Sequence, residues 1–295
     1  MVAGMDVGDL TPLAGGWSGE TFLSEVAGDR VVVRIYPPGR RDDAAPEVDA
    51  AVVRLVRGLV PVADVIEVRR ADRAADTPGL LVSAFVAGER GDLVLPRLDD
   101  AAAATLGRRL GGIVADLSGM PTMRAGRFVD ADLTIGDFGT ADGLPELVTV
   151  LARSWAPDLL DRLVEVATRA QDLLDSVGRT CLVHSDANPK NVLVDPATLE
   201  VTALLDWEFA HSGHPYTDLG NLLRFDRRPA YADAVLAAWC ERRGTEPTET
   251  LELARAADLW ALVDLAARKG ENPVADRAHE HLVAIARTGD LNALA

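Results

Sequence analysis

Near residue 90 the apolar pattern of the chain changes period, and any fold has to serve both halves. Before that point short β-branched runs dominate: TFLSEV (21 to 26), RVVVRIY (30 to 36), VIEV (65 to 68) and GLLVSAFV (79 to 86). The segment AAPEVDAAVVRLVRG reads as a helix inserted after the second run. The order strand, strand, helix, strand, strand predicts an antiparallel sheet carrying one helix. After VAGERGD (86 to 92) apolar residues recur at helical spacing, which predicts helices near 99 to 118, 145 to 155, 157 to 177, 228 to 243, 247 to 269 and 273 to 287. Only 181 to 206 interrupts this pattern. CLVH is a short apolar strand, and VLV and VTALLD flank Asp195-Pro196-Ala197-Thr198 as the arms of a hairpin.

At 295 residues the chain has room for two lobes sharing a cleft. Its 46 acidic residues against 30 basic ones leave a formal charge of −16, which disfavours nucleic acid or an anionic membrane as partner and suits a cation; solubility alone also explains it. Cys181 and Cys240 lie in apolar contexts without C-x-x-C spacing and read as buried thiols. MVAGMDVGDL has no signal-peptide pattern and no apolar run approaches a membrane span, so a soluble cytoplasmic protein is expected.

The loop before the hairpin, HSDANPKNVLVD, carries chemistry. Asp186 and Asn191 are five positions apart, and the hairpin returns Asp206 close to where its first strand begins. An acid, an amide and a second acid then converge, the layout phosphoryl transfer needs: a carboxylate for the acceptor proton, and hard oxygens for Mg²⁺ on nucleotide phosphates. Taken singly, Asp186, Asn188 and Asn191 also fit loop caps, His184 a core histidine and Asp206 a turn former. Basic residues here are almost all arginine, so Lys190, one of two lysines, stands out. Its ammonium either reaches the transferred phosphoryl group or is a solvated loop charge, the second being favoured.

His184-x-Asp186-x-x-x-x-Asn191, followed by Asp206-Trp207-Glu208 and HSGHPYTDLGNLL, resembles the aminoglycoside phosphotransferase and choline kinase family, in its antibiotic phosphotransferase branch. The resemblance implies an α+β, bilobal, protein kinase-like fold with a small antiparallel N-terminal lobe (1 to 86) that binds nucleotide and a larger, mainly helical C-terminal lobe (87 to 295) that carries catalysis and acceptor binding. It implies Asp186 as catalytic base, Asn191 and Asp206 as metal ligands, His184 as a support and Asp218 as a brace for the loop. The cofactors would be ATP, with GTP open, and Mg²⁺. Only 12 positions separate Asp206 from Asp218, too few for a long activation segment, so a protein substrate is not expected.

Under the same resemblance the first third supplies the nucleotide site. GGWSGETFL (15 to 23) would cover the phosphates with Ser18 as a donor, although a Gly-Gly hairpin turn gives the same string. Arg34 stands where many kinases have lysine and would pair with Glu47 on the next helix; the alternative is a strand residue facing water. Ala84 and Val86 would contact the purine edge through their backbone. Residues 126 to 175 hold ten acids and four bases, which suits a cationic acceptor. Candidate contacts are Asp158, Asp161, Glu208 and Glu271, the alternative for each being a solvent-facing acid. The acceptor would be a small cationic alcohol, an antibiotic (aminoglycoside or basic cyclic peptide) whose phosphorylation confers resistance. The alternatives are a small-metabolite kinase (choline, amino alcohol or sugar derivative) and a non-catalytic nucleotide-binding regulator.

Overall fold

The four β-branched runs, joined by the unexpected strand Thr11–Pro12, form a five-stranded antiparallel sheet in the computed structural model, which describes residues 10 to 13, 20 to 139 and 142 to 294. Its strands are β1 (Thr11–Pro12), β2 (Glu20–Val26), β3 (Asp29–Tyr36), β4 (Val65–Arg69) and β5 (Gly79–Ala84), in the order β1-β2-β3-β5-β4. Period-two alternation buries Val31, Val33 and Val82 on one face. Helix α1 (Ala45–Val56) follows β3 with a proline in its first turn, and sends Val52 and Val56 into a core shared with the rest of the molecule.

The chain then crosses over through β6 (Glu89–Arg90) and the short α2 (Gly91–Val94). The long α3 (Asp100–Ser118) follows, opened by Asp99, whose carboxylate accepts from Ala102 N–H. Strands β7 (Pro121–Thr122), β8 (Gly126–Phe128) and β9 (Ile135–Gly136) precede α4 (Leu144–Leu151) and α5 (Pro157–Asp175). Next come β10 (Thr180–Val183), the hairpin β11 (Val192–Val194) and β12 (Val201–Leu204), β13 (His211–Gly213) and α6 (Thr217–Leu223). The chain closes with α7 (Pro229–Arg243), α8 (Pro247–Ala267) and α9 (Pro273–Thr288). Proline in the first turn of α4, α5, α7, α8 and α9, and left-handed Gly244 and Gly289 after α7 and α9, punctuate these helices.

The kinase-like α+β architecture is as expected. The helix expected over 145 to 155 ends at Leu151. Helix α6 and the strands β7, β8, β9 and β13 carry no periodicity signal, because each has seven residues or fewer and takes its register from neighbours: β10 runs between β7 and β13. Strand β6 pairs with β11, matching Leu193 to Arg90 and Val194 to Glu89, so the crossover is hydrogen-bonded to the hairpin that flanks the loop. Gly91 makes this close approach possible, since a Cβ there would lie 2.7 Å from the Pro189 carbonyl oxygen.

Candidate active site

Strand β10 ends at Val183 and the chain turns at once, with Ser185 in the left-handed region (φ 66°). That conformation disfavours a non-glycine residue and needs external support. Support comes from Asp218 at the start of α6: its carboxylate accepts from the His184 N–H at 2.9 Å and the Ser185 N–H at 2.8 Å. Burial pushes the Asp218 carboxyl up, opposed by His184 and by those two backbone donors. His184 is fully buried. Its Nδ1 accepts from the Asp186 N–H at 3.3 Å, so Nε2 carries the proton and donates to the Leu205 carbonyl at 2.9 Å. Trp207 packs its ring 4.5 Å from the imidazole.

Two amides hold the Asp186 carboxylate. Asn188 Nδ2 donates to Oδ1 and Asn191 Nδ2 to Oδ2, both at 2.6 Å, and Asn191 Nδ2 also reaches the Asp186 carbonyl at 3.0 Å. A carboxylate oxygen has a second lone pair, so both remain able to accept a proton from a substrate hydroxyl. With its nitrogen so committed, the Asn191 amide presents its oxygen elsewhere. The hairpin brings Asp206 back: Val192 pairs with Leu204, and Leu205 N–H donates to the Asn191 carbonyl at 2.8 Å. Asp206 is itself left-handed (φ 64°, ψ 62°), which aspartate tolerates better than most side chains.

A second layer lies below the loop. The Ala187 N–H donates to Asn221 Oδ1 at 3.3 Å, Asn221 Nδ2 donates to Asp258 Oδ1 at 3.2 Å, and Arg224 grips Asp258 with contacts of 2.7 and 3.0 Å. Asn221, Arg224 and Asp258 are all buried. Gly220 lets α6 sit against α8 here, since a Cβ would come within 2.4 Å of the Ala254 carbonyl.

On the sheet side, Arg34 of β3 reaches across to the turn after β12. Its Nη1 is 2.6 Å from Asp206 Oδ1 and its Nη2 is 2.7 Å from Glu208 Oε2. Burial would lower the Arg34 pKa, but Asp206, Tyr36 and Glu208 outweigh it and raise it.

A buttressed carboxylate, an amide oxygen, a second carboxylate and a paired cation are the parts of a phosphoryl-transfer site. The model of the phosphotransferase enzyme family matches residues 9–253. The chain belongs to that family.

Solved structures of similar fold cover nearly the whole chain. Aminoglycoside phosphotransferase APH(4)-Ia, in ternary complex with AMP-PNP and hygromycin B, is 18% identical, with 96% of this chain and 95% of that one covered at a TM-score of 0.65. A GDP complex of an aminoglycoside 2'-phosphotransferase is 17% identical, covering 97% and 93% at 0.66. A microcompartment-associated aminopropanol kinase is 20% identical, covering 96% and 92% at 0.66. At these identities they establish the fold alone. Among curated proteins, acyl-CoA dehydrogenase family member 11 of Mus musculus is 32% identical over 95 residues, which span 26% of this chain and 12% of that protein.

In this phosphotransferase Asp186, Asn191, His184 and Asp218 meet in one hydrogen-bonded loop, and Asp206 lies beside it. The expected pairing of Arg34 with Glu47 is not what forms. Glu47 instead pairs with Arg70 at 3.2 Å, while Asp49, two residues and about 200° further round α1, points inward to Tyr36 and Arg41. Nor does Arg34 face water, because β3 lies inside the sheet and the side chain is 16% exposed. Glu208, expected at the acceptor, has a 5% exposed side chain and is engaged with Arg34. Asp158, Asp161 and Glu271 are exposed, and none is joined to the loop by a hydrogen bond or ion pair among the described residues. Lys190 caps no partner with its ammonium among the described residues; its N–H donates to Asn188 Oδ1. Ala84 N–H donates to the Asp64 carbonyl, and Val86 lies two residues beyond at the exit from β5. Ser18 and residues 15 to 19 of the glycine-rich stretch lie outside the described residues. Sequence reasoning missed Asn221, Arg224 and Asp258 as supports of the loop, and treated Asn188 only as a cap.

Mg²⁺ fits the donors: the Asn191 amide oxygen and Asp206 carboxylate are hard oxygens. Among the described residues no set of three His, Cys, Asp or Glu side chains is grouped for a metal ion.

Proposed function

We propose that this phosphotransferase moves the γ-phosphate of ATP, as its Mg²⁺ complex, to a hydroxyl of a small cationic acceptor. The observation that carries this reading is Asp186, whose two oxygens are each fixed by an amide on a loop anchored to Asp218. The fixed carboxylate orients the acceptor hydroxyl and takes its proton as the phosphoryl group transfers. Asn191 and Asp206 would hold Mg²⁺, which when bound neutralises charge on the phosphate oxygens. Arg34 supplies a cation on the sheet side, and the backbone of Ala84 and Val86 offers an edge for the purine. Residues 1 to 86 would form the nucleotide lobe and 87 to 295 the catalytic lobe.

The acceptor we favour is a polycationic antibiotic of the aminoglycoside or basic cyclic peptide type, its phosphorylation giving resistance. The surplus of acids, with exposed Asp158, Asp161 and Glu271, supports a cation, and one similar structure holds hygromycin B. The equal likeness to an aminopropanol kinase supports a second reading, a kinase of small amino alcohols. Neither reading requires a membrane: among the described residues no helix is long and apolar enough to cross one.

Steady-state assays with ATP and GTP, across cationic antibiotics and amino alcohols, decide between them. A polycation should show the higher kcat/KM, and its KM should rise with salt, because exposed charges are screened over about 8 Å at physiological ionic strength. Higher kcat/KM for singly charged amino alcohols, with KM flat in salt, would hand the function to the metabolite reading. Nucleotide binding without turnover on any acceptor would leave a regulator.

A further inference from the structure

Arg41 lies in the turn between β3 and α1 and belongs to none of the motifs above. Its guanidinium makes two parallel bonds to Asp49 of α1, Nη1 to Oδ2 at 2.7 Å and Nη2 to Oδ1 at 3.0 Å. Asp49 Oδ2 also accepts from the Tyr36 hydroxyl at 2.7 Å, on a side chain only 4% exposed. The phenol stays protonated, because burial and the Asp49 charge push its pKa up. From this fixed position Arg41 reaches the turn that follows Asp206: Nη2 donates to the Glu208 carbonyl at 3.2 Å, and Nη1 lies 3.8 Å from Glu208 Oε2. Glu208 in turn holds Arg34 at 2.7 Å.

Three carboxylates, Asp49, Asp206 and Glu208, therefore meet two guanidiniums, and Glu208 is the carboxylate that both share. We infer that Arg41 is a positioning residue for phosphoryl transfer: clamped by Asp49 and Tyr36, it pins Glu208 and thereby sets where the Arg34 guanidinium sits. The inference rests on the proposed nucleotide site. If Asp206 turned from Arg34 to a metal ion, Glu208 would still hold Arg34, and Arg41 would keep Glu208 from following. A planar fork is needed to grip Asp49 and reach Glu208 together, so a lysine would restore charge without restoring geometry.

The test is calorimetric binding of MgADP to the full chain, with kcat and KM for the best acceptor. R41Q should weaken MgADP about tenfold or more and lower kcat/KM, with acceptor KM unchanged. R41K should recover only part of the loss. D49N should weaken MgADP similarly, and the R41Q/D49N double variant should lose no more than the worse single one, because both cut the same relay. Melting temperatures are read alongside, with binding measured well below the transition. A lower melting temperature with wild-type MgADP affinity and kcat would reduce Arg41 to a structural tie and overturn the relay, as would losses that simply add. A wild-type chain that binds no MgADP would remove the nucleotide reading and the relay with it. Wild-type binding matched by R41Q would sink the relay alone.

Discussion

Asp186 and Arg34 belong to one site but are held in different ways. Asp186 stands on a loop held by its own Asn188 and Asn191 amides, by the buried Asp218 carboxylate that accepts two of its backbone N–H groups, and by a buried Arg224–Asp258 pair beneath it. Arg34 is held by carboxylates, one of them the proposed metal ligand. The first arrangement costs no reorganisation when substrate arrives, as positioning of a reacting group requires. Under the proposed function the second would exchange partners as the Mg²⁺ nucleotide binds. On that reading, rigidity lies where the proton would move and exchangeable charge where the phosphates would enter.

If that contrast is right, the largest effect follows from the rigid side. Asp186→Asn matches the carboxylate in size but removes the proton acceptor, and its single oxygen can keep only one of the two amide donors, so kcat should fall about 10²- to 10⁴-fold with MgADP affinity largely retained. Near wild-type turnover in a folded variant would break the contrast at its centre. Arg224→Met comes next. Stripping one partner from a buried ion pair costs about 3 to 5 kcal/mol, read as a drop in denaturation midpoint, and kcat should fall as Asp258, which anchors Asn221, loses the guanidinium that holds it. A stable variant with normal kcat would mean the second layer does not support the loop.

A smaller effect is expected from acid. Burial holds His214, just before α6, down at about 4 against an ordinary 6.5, and His281 of α9 shifts the same way to about 4. The unfolded chain binds these protons first as pH falls, so their contribution is complete above about 6.5 and is lost from there down to about 4. The melting temperature should drop across that window, with a shallower slope in His214→Gln; an unchanged slope would show that His214 is not among the groups responsible. The smallest effect is assigned to Lys190→Met. With the ammonium in solvent, kinetics should be nearly normal, whereas a fall of a decade or more in kcat at constant acceptor KM would move Lys190 into the phosphate site and make the loop supply charge as well as rigidity.

The parts of the site that lie within about twenty residues, from Asp186 to Asp206, were readable as sequence. Asp186 and Asn191 are separated by one loop, and Asp206 is returned by a hairpin whose turn, Asp195 to Thr198, announces itself. The supporting layer was not readable. Asn221, Arg224 and Asp258 lie on helices in which a buried polar residue looks like any other position, and their partners are more than 30 residues away. The Arg34 contacts span 172 and 174 residues. Choosing between Glu47 and Asp49 required the rotational phase of α1, and two positions on a helix decide between solvent and site. The short strands around β13 have too few residues for a period to show.

The left-handed backbone at Asp206 bears on how such a chain can lose its activity. Asparagine accepts that conformation about as readily as aspartate, so Asp206→Asn would leave the turn intact while removing the charge that pairs with Arg34 and, under the proposed function, would hold a metal ion. A change of one base in the codon is enough for that replacement. A lineage carrying this gene could therefore pass in one step from catalyst to folded, inert protein without crossing an unstable intermediate. Continued presence of aspartate at this strained turn in relatives of the chain would record selection for transfer itself.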